Sequence, residues 1–279
     1  YNRGFSWAFN WGVKHSVGDY VLSLNPDVVV RPGFLSEMTL ILQKSQQVGA
    51  VAPKLLSADN PAILDSTGLF IDRRRRPYDR GQGDRDLGQY DSLPHTTPDL
   101  GLSVFGACGA AALYRRTMLE NVALDGEYFD EDFFAYYEDA DLAWRAQGCG
   151  WQCLYAPQAV ATHVRGWGDT LRTKGHASKR STGPRLALRN RYLMTIKNDR
   201  LMDFLVDLPR ILSAEVPRLA YAAVTKPAVL LGLFDLIRAM PSTLRKRRLI
   251  QQQRTVDPSR VRRWFLDPAA TRIESGLPS

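Results

Sequence analysis

Cysteine is scarce. The 279-residue chain has three, at 108, 149 and 153, an odd number whose spacing fits neither a usual zinc site nor a redox pair. This argues against a disulfide-stapled secreted fold and points to a reducing, cytoplasmic setting. No secretory leader is visible. An initiator methionine is lacking too: "YNRGFSWAFNWG" opens in mid-pattern, so further residues are expected upstream. Internal repeats and low-complexity tracts are absent, which argues against solenoids and disordered arrays. The chain has four histidines and no dense His/Asp cluster, which speaks against a metal-dependent hydrolase. A long apolar stretch, "LAYAAVTKPAVLLGLFDLIRAM" (219–240), is broken by Lys226, Pro227, Asp235 and Arg238. That pattern suits a helix lying on a membrane better than one spanning it.

What remains is an ordinary globular mix, 44% hydrophobic and 24% charged, long enough for one large α/β domain with an appendage. Its charge is uneven. Between Arg172 and Arg263 there are 21 Lys and Arg against 6 Asp and Glu, in a chain whose total is only +8. An acidic body with a basic C-terminal region suggests two tasks. Such a region, with "RKRR" at 245–248, can meet phosphates, anionic lipid or nucleic acid. The basic residues sit beside apolar helices and not in a recognisable nucleic-acid module, so nucleic acid is not expected as a partner.

Periodicity gives the elements. Phe5, Ala8, Phe9 and Val13 have helical spacing, and Gly18-Asp19 marks a turn. "YVLSL" (20–24) is a short strand that stops at "NPD". A helix follows Pro32-Gly33 to about Lys44, with Leu35, Met38, Ile41 and Leu42 inward. "VGAVAPKLL" (48–56) is a second strand, completing a strand–helix–strand unit of a parallel α/β sheet. Residues 57–100 read as irregular, with one strand near 68–72. "LSVFGACGAAALYRR" (102–116) reads as a strand rich in small residues, a mark of close approach by a ligand or backbone. A short helix follows at "RTMLENV", then one or two strands in 151–164 with Pro157 at an edge or turn. Beyond about residue 170 come a basic loop and helices.

Three constellations carry chemistry. Asn25-Pro26-Asp27 ends a strand, where open α/β sheets bind ligands. Its oxygens suit a hard divalent cation on a diphosphate, although Asn-Pro-Asp also makes plain turns. In "DFFAYYEDADLAWR" a helix starts near Glu138. Glu138, Asp141 and Arg145 share one face and read as solvated or structural, with an i,i+4 pair. Asp139 lies on another face near the aromatic rings and is the better candidate base; helix N-terminal charge complementarity would explain it equally well. His163 follows a strand and is either a ligand or a polar residue at a strand end.

Taken in order, "NRGFSWAFNWGVKHSVGDYVLSLNPDVVVRPGFL", "GACGAAALYRRTML", "EYFDEDFFAYYEDADLAWRAQGCGW" and "APQAVATHVRG" resemble the family 2 glycosyltransferases of the GT-A fold, above all bacterial rhamnosyltransferases acting on lipid-linked cell-wall or O-antigen precursors. The likeness covers roughly residues 1–200. It implies an α/β fold with a mostly parallel sheet flanked by helices, its first, nucleotide-holding strands upstream of Tyr1, and a C-terminal helical extension. It implies that Asp27 binds a divalent cation (Mg²⁺ or Mn²⁺) with help from Asn25, where the family has an aspartate, and that His163 completes the site. It implies Asp139 as the base of an inverting transfer. Gly106, Ala107, Tyr137, Glu138 and Arg165 would line the donor and acceptor. Phe133, Phe134, Tyr136 and Tyr137 would offer a saccharide platform, with some of these rings in the core.

The organisation expected is a partial GT-A domain over 1–170, a basic loop and helix near the acceptor at 171–200, and a basic helical region at 201–279 on a membrane surface. The reaction implied moves a sugar, rhamnose from dTDP-rhamnose by overall likeness, onto a saccharide or polyprenyl-linked acceptor at the cytoplasmic face of the inner membrane. The chain as it stands is expected to be inactive. The alternatives are an inactive glycosyltransferase-like scaffold and a basic nucleic-acid- or membrane-binding protein.

Overall fold

A computed structural model describes residues 1–92, 102–164 and 182–271. Strand β3 (Val48–Ser57) is central to its fold. It is buried along nearly its whole length, and its side chains alternate between two cores, as the period of a strand requires. Ala50, Ala52 and Leu56 face one; Val51 and Leu55 face the other, with Phe34, Met38 and Leu42 of helix α2 (Phe34–Lys44).

The sheet runs β1 (Tyr20–Leu24), β8 (Ala111–Arg115), β3, β9 (Gln152–His163), β2 (Val28–Val30), with β4 (Leu64–Ser66) added to β3 and β7 (Ser103–Val104) to β9. A separate pair joins β5 (Leu69–Ile71) to β6 (Pro77–Asp79). The α/β class and the helical C-terminal part are as expected. The strand sense is not: among the described strands β3 and β9 pair in parallel, and the other pairings are antiparallel. The strand–helix–strand unit does keep β1 and β3 in one direction. However, β8 returns after a long excursion and inserts between them, running against both.

Local details differ from the sequence pattern where tertiary contacts override it. Helix α1 (Phe5–Lys14) buries Ser6, Asn10 and Val13, and Ala8 is exposed. The Asn10 amide donates to the Phe129 carbonyl at 2.7 Å and accepts from the Phe129 N–H at 2.9 Å, so a polar residue anchors the helix. In α2, Leu35 points to solvent, and Phe34 takes the inward place. The stretch 102–116 is two strands with a turn between them. The run 152–163 is one strand, bulged where Pro157–Ala159 interrupt its pairing with β3.

The C-terminal region is helical: α5 (Thr182–Asn198), α6 (Leu201–Thr225), α7 (Leu231–Gln253), α8 (Pro258–Arg262) and α9 (Pro268–Thr271). Earlier in the chain lie α3 (Arg116–Asn121) and α4 (Glu138–Gly148). Many of the C-terminal cations turn inward and meet the acidic body. Lys197 of α5 is ion-paired with Asp130 and, at 3.0 Å, with Asp141. Lys246 of α7 reaches Glu127, Asp130 and Asp132 at 3.0, 2.5 and 3.0 Å. Burial alone would raise the Asp130 carboxyl, but Lys197 and Lys246 overcome it and hold the group below its ordinary range. Helix α6 is mixed: its buried residues are Asp207, Ile211 and Glu215, and Leu205, Val206, Leu212, Val216 and Val224 face outward. One described stretch, Pro227–Gln253, is long and apolar enough to cross a membrane, although here its Lys246 is docked in the ion cluster.

Candidate active site

The ends of β1, β9 and β4 meet at one point. Strand β1 stops at Asn25, whose N–H donates to the Ala110 carbonyl at 2.9 Å. After the Pro26 turn, β2 starts with Val28 paired opposite His163. The pairing carries Asp27 to His163: Asp27 Oδ1 is 3.6 Å from His163 Nε2. On the other side of the ring, Nδ1 lies 2.8 Å from Asp65 Oδ2. A carboxylate accepts, so a proton belongs on Nδ1, and Nε2, on the side of Asp27, is the nitrogen placed to ligate. Asp27 Oδ1 is itself buried without a hydrogen-bond partner. A ligating histidine oriented by a carboxylate behind it is the usual arrangement around a metal, so these residues fit a hard cation. Among the described residues no group of three His, Cys, Asp or Glu is placed to hold an ion. Asp27 and His163 are the described residues that could hold such an ion here.

His163 opens onto a cleft of about 490 Å³, a ligand-sized volume, lined also by Asn25, by Cys108–Ala110, by Pro77–Asp79, and by Ala135–Asp139. Asp139 stands in the first turn of α4. Its Oδ2 accepts from the Gly109 N–H at 2.8 Å and its Oδ1 from the Ala140 N–H at 2.7 Å. Burial pushes its carboxyl up to about 6 against the pull of those two donors. Next to it, burial and then the Asp139 charge push Glu138 up to about 8. Glu138 Oε2 is buried without a partner.

The acids of α4 divide differently from their helical spacing. Glu138 is no solvated residue, for it is buried and lines the cleft beside Asp139. Asp141 is fully buried, paired to Arg145 at 3.1 Å and accepting from Asn198 at 2.7 Å. Nearly every residue of α4 is buried, so the helix has no solvated face for spacing to identify.

Gly106 and Ala107 do not reach the cleft. A Cβ on Gly106 would fall 2.4 Å from that of Ala143, so the small residue there lets α4 approach. Gly109 is the glycine in the site. Tyr136 and Tyr137 line the cleft; Phe133 is core and Phe134 lies outside the cleft. Phe134, Tyr136 and Tyr137 have φ of 62°, 74° and 72°, a left-handed backbone that aromatic residues rarely adopt and that clusters at functional sites. Asn190 of α5 holds this loop, donating to the carbonyls of Phe133, Ala135 and Tyr136 at 2.8, 2.8 and 2.9 Å. Asp65 and Asn190 had no signal in sequence beyond being polar. Arg165 and the basic stretch that follows it, to residue 181, lie outside the described residues.

The fold is shared with a known protein. Among solved structures the chain superposes on GalNAc-T7, determined with UDP, GalNAc and Mn²⁺, with a TM-score of 0.50 at 14% identity, over 70% of this chain and 36% of that one. The architecture is the GT-A fold. Residues 1–123 match the family model Glycosyl transferase family 2. It is 26% identical over 150 residues to the low-salt glycan biosynthesis hexosyltransferase Agl10 of Haloferax volcanii, covering 52% of this chain and 44% of that protein. It is also 26% identical over 193 residues to the N-acetylglucosaminyl-diphospho-decaprenol L-rhamnosyltransferase of Mycobacterium tuberculosis, covering 66% and 56%. The chain spans about half the length of these curated relatives.

Proposed function

We propose that the chain carries the catalytic cleft of an inverting glycosyltransferase that moves a sugar from a nucleotide-sugar donor to a polyprenyl-linked saccharide. The observation that carries this reading is Asp139, a carboxylate of raised proton affinity in the cleft that His163 and Asn25 also line. Asp139 accepts the proton of an acceptor hydroxyl as that oxygen attacks the anomeric carbon and the bond to the nucleotide diphosphate breaks. Asp27 and His163, with Asn25 nearby, would hold a divalent cation, which when bound offsets negative charge on the leaving diphosphate. Tyr136 and Tyr137 offer faces for a sugar's C–H surface. A relative named for a decaprenol-linked substrate and an L-rhamnosyl product supports the acceptor class and makes rhamnose the first donor to try. The outward apolar face of α6 supports a membrane surface as the place of work.

The test is a donor screen with the chain and with a form extended upstream, each beside its Asp139→Asn variant. Transfer that falls ~100-fold or more in the amide form, with unchanged melting, is the expected result for loss of a general base. Equal turnover of the two would remove the reading.

A further inference from the structure

Three arginines from three parts of the chain converge on one carboxylate. Arg76, from the turn between β5 and β6, lies 3.5 Å from Glu215 Oε1. Arg191 of α5 pairs with Glu215 Oε2, and Arg218 of α6 lies 3.3 Å from the same oxygen. The Tyr192 hydroxyl donates to it as well, at 2.6 Å. Among the described residues Glu215 is the only carboxylate ion-paired with these arginines. Asp72, on Arg76's own turn, accepts from the backbone N–H groups of Arg74 and Arg76 and also acts on the Arg76 charge. Three guanidinium groups facing Glu215 and Asp72 still leave positive charge uncompensated.

The cluster is also short of acceptors. Arg76 Nε, Arg191 Nη1 and Arg218 Nε are buried with no hydrogen-bond partner, and the Arg191 side chain is 3% exposed. A buried donor without an acceptor is costly, and more so when charged. Arg76 and Arg218 keep 35% of their side chains exposed, so an anion can reach them from solvent.

Its position relates it to the cleft. Arg76 directly precedes Pro77, which begins the cleft wall, and Arg191 follows Asn190, which holds the Tyr136–Tyr137 loop. All three arginines act on the Tyr137 phenol and oppose the rise that burial gives it. The Asp27–His163 end is built from other elements, the ends of β1, β4 and β9.

We infer that Arg76, Arg191 and Arg218 form a second anion site, which binds the phosphate group of the acceptor while the sugar hydroxyl lies at Asp139. Guanidinium forks match phosphate oxygens in pairs. The inference rests on the transferase reading for the word acceptor; the anion site itself does not.

Calorimetry in EDTA separates the two. The chelator removes any cation-dependent binding at Asp27, so the probes are inorganic pyrophosphate, a short isoprenyl diphosphate and uridine diphosphate. The wild-type chain is expected to bind the first two saturably. An Arg76→Gln, Arg218→Gln double variant should weaken both by ~10-fold or more, the worth of one or two charged hydrogen bonds. A Lys14→Gln, Lys44→Gln control removes equal charge from α1 and α2 and should bind as wild type. Each variant is first checked for a native melt, and Arg218→Gln alone replaces the double if that fails. No saturable binding, or equal weakening in the control, overturns the site. Weakening confined to uridine diphosphate overturns its assignment to the acceptor. Failure of sugar transfer with every donor leaves these binding results standing.

Discussion

His163 is held between two carboxylates: Asp65 Oδ2 lies 2.8 Å from Nδ1, and Asp27 Oδ1 lies 3.6 Å from Nε2. Asp65 thereby decides which nitrogen is free to ligate. An Asp65→Asn change brings an N–H donor to the ring and removes the preference for the Nδ1–H tautomer. Mn²⁺ should then bind about 10–100-fold more weakly, the usual cost of losing such a partner. Asp27→Asn should weaken it at least as much. Manganese titrations followed by electron paramagnetic resonance read both directly. Wild-type affinity in both variants would show that the ion is held elsewhere.

The second prediction concerns pH. Glu138 and Asp139 have carboxyls raised from 4.5 to about 8 and from 3.8 to about 6. The folded chain therefore keeps protons that the unfolded chain has released. Their contribution to stability is complete below the unfolded values and is lost as pH rises through the folded ones. Glu138→Gln should leave the melting temperature nearly unchanged near pH 4.5 and raise it increasingly towards pH 8. A Tm difference that is flat or falls with pH would contradict this. In activity, kcat/KM should rise through about pH 6 as Asp139 ionises.

The third concerns the ion cluster. Lys197 is 1% exposed and serves both Asp130 and Asp141. Lys197→Met leaves two interior carboxylates short of a cation, at a cost of about 3–5 kcal/mol in line with breaking a buried pair from one side. Urea denaturation should show the loss as a lower midpoint. A midpoint within error of wild type would mean that water already reaches the cluster.

The sequence made some of this legible, for physical reasons. Asp27 and Asp139 lie at the end of a strand and the start of a helix, positions that local pattern reveals. The α/β class follows from the same alternation of periods. Strand sense did not follow, because β8 reaches its place between β1 and β3 through long-range pairing that no local pattern encodes. Spacing identified the Asp141–Arg145 pair but also allowed a solvated Glu138, which is buried. A helical wheel assumes one wet face, and α4 has none, since Lys197, Asn198 and Arg145 supply partners inside. The run of small residues announced a close approach, but Gly106 meets a helix, while Gly109 meets Asp139. Asp65 and Asn190 act only through where the fold puts them.

The last prediction concerns α6. An amphipathic helix usually turns its apolar side inward and its charges outward; α6 turns its acids inward beside Ile211 and leaves further apolar side chains outside. Asp203 is paired to Arg262 at 3.0 Å, Asp207 to Arg73 and Arg75 at 2.7 and 3.0 Å, and Glu215 to its arginines. The outward side carries Met202, Leu205, Val206, Leu212, Val216 and Val224. In 200–250 the acids are all in ion pairs, while Arg200, Lys226, Arg238 and Arg248 are exposed. An apolar strip edged by cations matches the interface of an anionic bilayer, where the strip enters the acyl boundary and the cations meet headgroups. Leu205→Glu with Val216→Glu places charge on that strip at two positions that are 48% and 61% exposed. The variant should melt as wild type. Flotation with vesicles rich in phosphatidylglycerol should recover the wild-type chain and lose the variant, and neutral phosphatidylcholine vesicles should recover less of either. Equal recovery of both chains from anionic vesicles, or none of either, would show that the face meets another protein or a second copy of this chain. Sedimentation at rising concentration would then identify self-association.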